Sequence, residues 1–158
     1  NAIQNRYSIM ARWHETIFPA LEELHIGYVA FSPLANGVLS DCYNENSKFE
    51  MGTDYRSFMP QFKPEAYEEN KELFALIRRM AQEKDATQAQ ISLAWMLCKK
   101  PYIVPIPGTR KLARLKENAG ASDIVLTKQE VCAIDARLEQ MSMSQVFGGT
   151  QMVKKEVK

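Results

Sequence analysis

An apolar stretch, Ile103-Val104-Pro105-Ile106, runs into the turn Pro107-Gly108 and then opens into a polar-faced helical pattern. Strand, break and helix in that order are the repeating unit of parallel α/β architecture, because a crossover helix must carry the chain back before the next parallel strand. The spacing predicts a helix starting near Thr109. Arg110, Arg114, Glu117 and Asn118 then share one face at i, i+4, i+7 and i+8, and Leu112, Leu115 and Ala119 share the opposite, packing face. Unpaired N–H groups and the positive end of the helix dipole favour an anion at such a start. A charged helix face is also commonly just solvated, so spacing alone leaves the phosphate site open.

The rest of the chain follows the same alternation. Helical periodicity is expected over 15–24, where Ile17, Leu21 and Leu24 form a stripe, over 66–83, over 88–97 behind Thr87 as N-cap, and over 128–139. Short β-prone runs lie near Ile3, at 28–31 and at 102–106. Residues 34–64 form an irregular stretch longer than the ~12–15 residues usual for a loop. Phe49, Tyr55, Phe58 and Phe62 within it argue for a packed, lid-like segment rather than a disordered linker. Residues 1–140 are expected to form the folded part and 141–158 a mobile tail. The class is α/β, with right-handed βαβ units around a parallel sheet. Three strands cannot close an eight-stranded barrel, which needs ~250 residues, so the expected architecture is part of a (β/α)8 barrel.

Composition narrows the function. In 158 residues, 46% are apolar and the net charge is +1, which gives no electrostatic footprint for nucleic acid. No stretch reaches the ~18 apolar residues of a bilayer span, so no membrane partner is expected. Cys42, Cys98 and Cys132 lack C-x-x-C spacing, which suits a reducing, cytoplasmic setting, and no metal site is expected. The chain starts at Asn1 within a strand-like run and lacks an initiator Met, so a preceding segment is expected.

Four segments carry a family resemblance: Gln4-Asn5-Arg6-Tyr7-Ser8, Phe31-Ser32-Pro33-Leu34 followed by Asn36, Gly37 and Leu39, Thr87-Gln88-Ala89-Gln90-Ile91-Ser92-Leu93-Ala94-Trp95, and Pro107-Gly108-Thr109 with Arg114, Glu117 and Asn118. In order and spacing they resemble strands six to eight of the aldo-keto reductases, the NADP(H)-binding part of that barrel. The resemblance implies that Phe31 lies against the nicotinamide ring and that Gln4 bonds its carboxamide. Ser32, Pro33, Leu34, Asn36, Gly37 and Leu39 would hold the pyrophosphate. Pro107, Gly108, Thr109, Arg110, Arg114, Glu117 and Asn118 would line the cofactor, with Arg114, Thr109 and Arg110 on the adenosine 2′-phosphate, while Gly108 stands where many relatives carry a Lys, so that one contact to this phosphate is lost. Arg114 favours NADP(H) over NAD(H), since a guanidinium fork suits a phosphate.

Besides the Gly108 position, two departures qualify the resemblance. Asp41-Cys42-Tyr43 stands where many relatives carry Gly-Lys-Tyr, so a pyrophosphate cation is lost, and Arg56 is the expected replacement. The family's catalytic Asp, Tyr, Lys and His belong to the first half of the barrel, and no catalytic residue is assigned in this chain. His14, His25, Tyr7, Tyr28 and Tyr43 lack the matching partners. The implied full-length protein is an oxidoreductase acting on a small carbonyl substrate, and the chain alone is expected to be inactive. The alternatives are a non-catalytic nucleotide-binding module, like the channel-associated β subunits, or an inactive fragment. The open edges of a partial barrel predict association with a missing N-terminal half or with a second copy.

Overall fold

The computed structural model describes residues 1–146. Three strands, β1 (Ala2–Arg6), β2 (Gly27–Phe31) and β3 (Ile103–Pro105), form a parallel sheet in the order β1-β2-β3. The register sets Gln4 beside Val29 and Val104, and Arg6 beside Phe31. Six helices accompany them: α1 (Phe18–Glu23), α2 (Pro64–Glu69), α3 (Lys71–Glu83), α4 (Gln88–Lys99), α5 (Leu112–Ala119) and α6 (Lys128–Gln140).

Alternation along the strands gives the sheet two unlike faces. Tyr28, Ala30 and Ile103 are buried against the helices, where Tyr7, Phe18, Tyr28 and Trp95 form an aromatic cluster with ring centroids 5.5–5.6 Å apart. On the other face Ala2 and Gln4 are exposed, Val29 and Phe31 half-buried, and Val104 is 55% exposed. Parallel sheets ordinarily have both faces covered, and among the described residues only one is.

Helix α4 is the centre of the core. Eight of its residues, from Gln88 to Met96, are buried, which fits a helix that is apolar nearly all round. Its start is fixed by a capping box: the Thr87 hydroxyl accepts the Gln90 N–H at 3.2 Å, and the Gln90 side chain accepts the Thr87 N–H at 3.0 Å. Thr87→Ala is expected to cost about 1 kcal/mol, read as a lower urea midpoint with an unchanged slope.

Several expected elements differ in ways that have local causes. The helix expected over 15–24 is a 3-10 turn, Trp13–Ile17, followed by the short α1. Pro19 has no N–H to give the Glu15 carbonyl, so a continuous α-helix cannot form there. The helix expected over 66–83 is two, α2 and α3, broken at Asn70. Asn70 is fully buried and turns its amide away from the helix: its Nδ2 donates to Ser144 Oγ at 2.7 Å, and its Oδ1 accepts the Ser144 N–H at 3.0 Å. That pair anchors the segment after α6, where Val146 is buried and Met141 and Met143 pack on the core. The tail expected to be mobile from residue 141 is therefore docked as far as Val146, and its remainder, 147–158, lies outside the described residues.

The largest correction concerns α5. It starts at Leu112, not near Thr109, because the Thr109 hydroxyl accepts the Lys111 N–H at 3.1 Å and Lys111 keeps an extended backbone as N-cap. Its faces are also reversed. Arg114, Glu117 and Asn118 are half-buried towards the body, while Leu112 and Leu115 are 67% and 55% exposed and Ala119 is exposed. The polar face turns inward because it borders a polar cleft.

Candidate functional site

Where β2 ends, the backbone leaves the sheet through a strained turn. Ser32, Ala35 and Asn36 have φ of 51°, 48° and 63°, and Gly37 has φ of 105°. Left-handed backbone at non-glycine residues costs roughly 1 kcal/mol or more each and persists only where the surroundings impose it. Gly37 is required on two counts: its φ is positive, and a Cβ there would meet the Tyr43 ring at 3.0 Å. The turn is held from below by Gln61, a fully buried residue of the 3-10 turn Pro60–Phe62, whose Nε2 donates to the Ala35 carbonyl at 3.4 Å and to Asn36 Oδ1 at 3.3 Å.

An open cleft of about 1300 Å³ lies between this turn, the segment after β3 and α5. Ser32, Pro33, Leu34, Asn36 and Gly37 line one side, Pro107, Gly108, Thr109 and Arg110 another, and Arg114, Glu117 and Asn118 reach it from α5. Arg110 lies outside the helix and reaches the cleft from the loop. Most residues assigned from sequence thus share one cavity. Three do not line it. Leu39 is 1% exposed and turned into the core, where its carbonyl accepts the Ser92 hydroxyl at 3.5 Å. Phe31 lies on the open face of the sheet next to Ser32, and Gln4 is exposed on that same face of β1.

The electrostatics are organised by two arginines. Arg114 donates to Glu117 Oε2 and, through its other terminal nitrogen, to Cys42 Sγ at 2.8 Å, which bridges α5 to the loop after the strained turn. The Glu117 bond, followed by the Cys42 thiol, raises its pKa above the usual guanidinium value. Arg56 is clamped by Asp54, with Nε at 2.8 and 3.1 Å from the two carboxylate oxygens, and it also donates to the Tyr43 hydroxyl. Its guanidinium lies 4.8 Å over both the Tyr43 and Phe49 rings. These bonds hold the Asp54 carboxyl below the usual carboxylate range. Arg56 reaches the cleft, but with its charge already matched, which weakens its expected part as the replacement pyrophosphate cation.

The irregular segment forms one wall of the cleft through Glu50, Thr53, Asp54 and Tyr55. Of its aromatics, Phe49 and Phe62 each pack with Tyr43 at 5.4 Å and with each other at 5.0 Å, whereas Tyr55 and Phe58 are 62% and 59% exposed. The turn spends some of its own backbone donors: the Ala35 N–H goes to the Ser32 carbonyl at 3.0 Å, and the Gly37 N–H to the Leu34 carbonyl at 2.8 Å. Sequence reading missed Arg6, whose guanidinium reaches Asn36 Oδ1 at 3.5 Å, as well as Gln61 and the Cys42 bridge. Only Arg6 had a signal, since it lies two residues along β1 from Gln4 and so on the same face. Among the described residues no cluster of His, Cys, Asp and Glu has the makings of a metal site, and no helix is long and apolar enough to cross a membrane.

Comparison with known proteins adds an independent line. The aldo/keto reductase family model matches residues 1–139. An aldo-keto reductase, str7, of Strobilurus tenacellus is 36% identical over 118 residues, which is 75% of this chain and 35% of that protein. The glycerol dehydrogenase AKR11B4 of Gluconobacter oxydans superposes with a TM-score of 0.75 at 22% identity, over 95% of this chain and 46% of that one. An aldo/keto reductase of Klebsiella pneumoniae, solved with NADP and acetate, superposes with a TM-score of 0.59 at 24% identity, over 87% of this chain and 39% of that one. The chain thus spans less than half the length of these relatives, and its three parallel strands with helices on one face are an incomplete (β/α)8 barrel. With a family model matched across most of its length, the chain belongs to the aldo/keto reductase family.

Proposed function

We propose that this chain is the cofactor-holding part of an NADP(H)-dependent reductase of small carbonyl compounds. The observation that carries the reading is that Thr109, Arg110 and Arg114 face the same cleft as the strained turn from Ser32 to Gly37. A cleft with a left-handed turn at one end and a cationic cluster at the other suits an elongated ligand with two phosphorylated regions. The Klebsiella relative solved with NADP supports the same choice.

Arg114, Thr109 and Arg110 would hold the 2′-phosphate. The turn Ser32-Pro33-Leu34 with Asn36 and Gly37 would lie along the diphosphate. Phe31 and Gln4, on the open face of the sheet, would border the nicotinamide, with Gln4 offering its amide donor and acceptor to the carboxamide. The bound nicotinamide supplies the hydride. Proton transfer is assigned to groups outside this chain. Tyr7 and Tyr28 lie on the far side of the sheet with no exposed surface, and burial, then Glu15, pushes both phenols well above their usual range. A general acid working near neutrality needs the opposite shift. The uncovered sheet face is assigned to the rest of the barrel or to a second copy, and the three free cysteines fit a cytoplasmic protein.

Titration of the whole protein with NADPH and NADH, followed by nicotinamide fluorescence, tests this reading. NADPH is expected to bind about 100-fold more tightly, the discrimination an arginine fork supplies. Equal affinities, or no binding of NADPH by the folded protein, would overturn it.

A further inference from the structure

We infer that Arg6, at the mouth-side end of β1, supplies the cationic contact to the cofactor's diphosphate that the lost Lys and the neutralised Arg56 do not. This rests on the dinucleotide reading above.

Register places Arg6 beside Phe31, so it shares the open face with Gln4 and Phe31. Its guanidinium lies 5.0 Å over the Phe31 ring, and one terminal nitrogen reaches Asn36 Oδ1 at 3.5 Å. Asn36 lines the cleft at the strained turn, so the guanidinium is within one side-chain swing of the place where the diphosphate would lie.

The state of this guanidinium is unusual. Its Nε is buried and has no hydrogen-bond partner, and among the described residues Arg6 makes no ion pair. The bond to Asn36 is long and goes to a neutral acceptor, so exchange for a phosphate oxygen loses little. Burial without a counter-ion lowers its pKa from the usual guanidinium value. An anion reaching it would remove that penalty, because a half-buried cation gains most from a partner of opposite charge. Of the other arginines at the cleft, Arg56 is bonded to Asp54, and Arg114, bonded to Glu117, and Arg110 stand at the opposite end. The turn also spends the Ala35, Gly37 and Leu39 amides internally, which leaves fewer backbone donors for a diphosphate there.

The test compares two ligands on the whole protein: NADPH, and 2′-AMP, which carries the 2′-phosphate but neither phosphate of the diphosphate. Arg6→Met is expected to weaken NADPH binding about 10- to 30-fold and to leave 2′-AMP within about twofold, with a shallower salt dependence for NADPH. Arg6→Lys, which keeps the charge without the fork, is expected to fall between wild type and Arg6→Met. Equal losses for both ligands would mean that Arg6 only supports the fold. Unchanged NADPH binding in Arg6→Met would exclude the contact. Either result overturns the inference while the dinucleotide reading stands, whereas wild-type protein that binds neither ligand overturns that reading itself.

Discussion

Arg114→Met is expected to weaken NADPH binding about 100-fold and to leave NADH binding within about threefold, so that the preference between the two cofactors nearly disappears. The magnitude follows from charge-assisted, bidentate bonds to a phosphate, each roughly twice as strong as a neutral hydrogen bond. Part of the loss comes from a second source. Glu117, whose side chain is only 14% exposed, is bonded to Arg114 and is left as an unmatched carboxylate facing an incoming phosphate when the guanidinium is gone. The double variant Arg114→Met with Glu117→Gln should therefore recover some NADPH affinity over Arg114→Met. Competitive binding of the two cofactors measures all three proteins. A drop in NADH affinity as large as the drop in NADPH affinity would show that Arg114 does not read the 2′-phosphate.

Lys99→Met is expected to destabilise the protein by about 3 kcal/mol, measured by urea unfolding. Lys99 is near the end of α4, with its side chain 10% exposed, and its ammonium is 2.7 Å from Glu15 and 3.0 Å from Asp135. Each carboxylate is fixed from another element: the Tyr7 hydroxyl donates to Glu15 at 2.7 Å, and the Trp95 indole N–H donates to Asp135 at 2.9 Å. The ammonium also lies 4.6 Å over the Trp95 ring. Removing one member of such a pair costs 3–5 kcal/mol where the partners are left buried, and partners about a quarter exposed place the value at the low end. Because Glu15 and Asp135 then repel across the gap, replacing both with their amides in the Lys99→Met background should restore much of the loss. A loss below about 1 kcal/mol in Lys99→Met would show that the network behaves as a surface ion pair.

Sequence reading served well where one local rule decided the outcome. The Thr87 cap, the strand at Tyr28-Val29-Ala30-Phe31 and the gathering of Ser32, Gly37, Thr109 and Arg114 around one cavity all follow from short-range pattern or from family spacing. It failed where a distant partner outweighed the local preference. Leu112 and Leu115 carry the apolar spacing of a packing face, yet α5 turns its polar side inward because Arg114 finds Cys42 there, 72 residues away in sequence. Asn70 breaks a helix that periodicity made continuous, because its amide is committed to Ser144. Arg56 is a different case: its partner Asp54 is only two residues away, and the turn of the loop wraps that carboxylate onto it. Leu39 matched a binding motif in spacing while its side chain fills the core.

The bond between Asn70 and Ser144 joins positions 74 residues apart. During synthesis the α2–α3 corner emerges well before the stretch that stabilises it, and until that stretch arrives a buried amide has no mate. A chain ended before Ser144 is accordingly expected to keep both helices and to lose the fixed angle between them, read as faster hydrogen exchange at the corner.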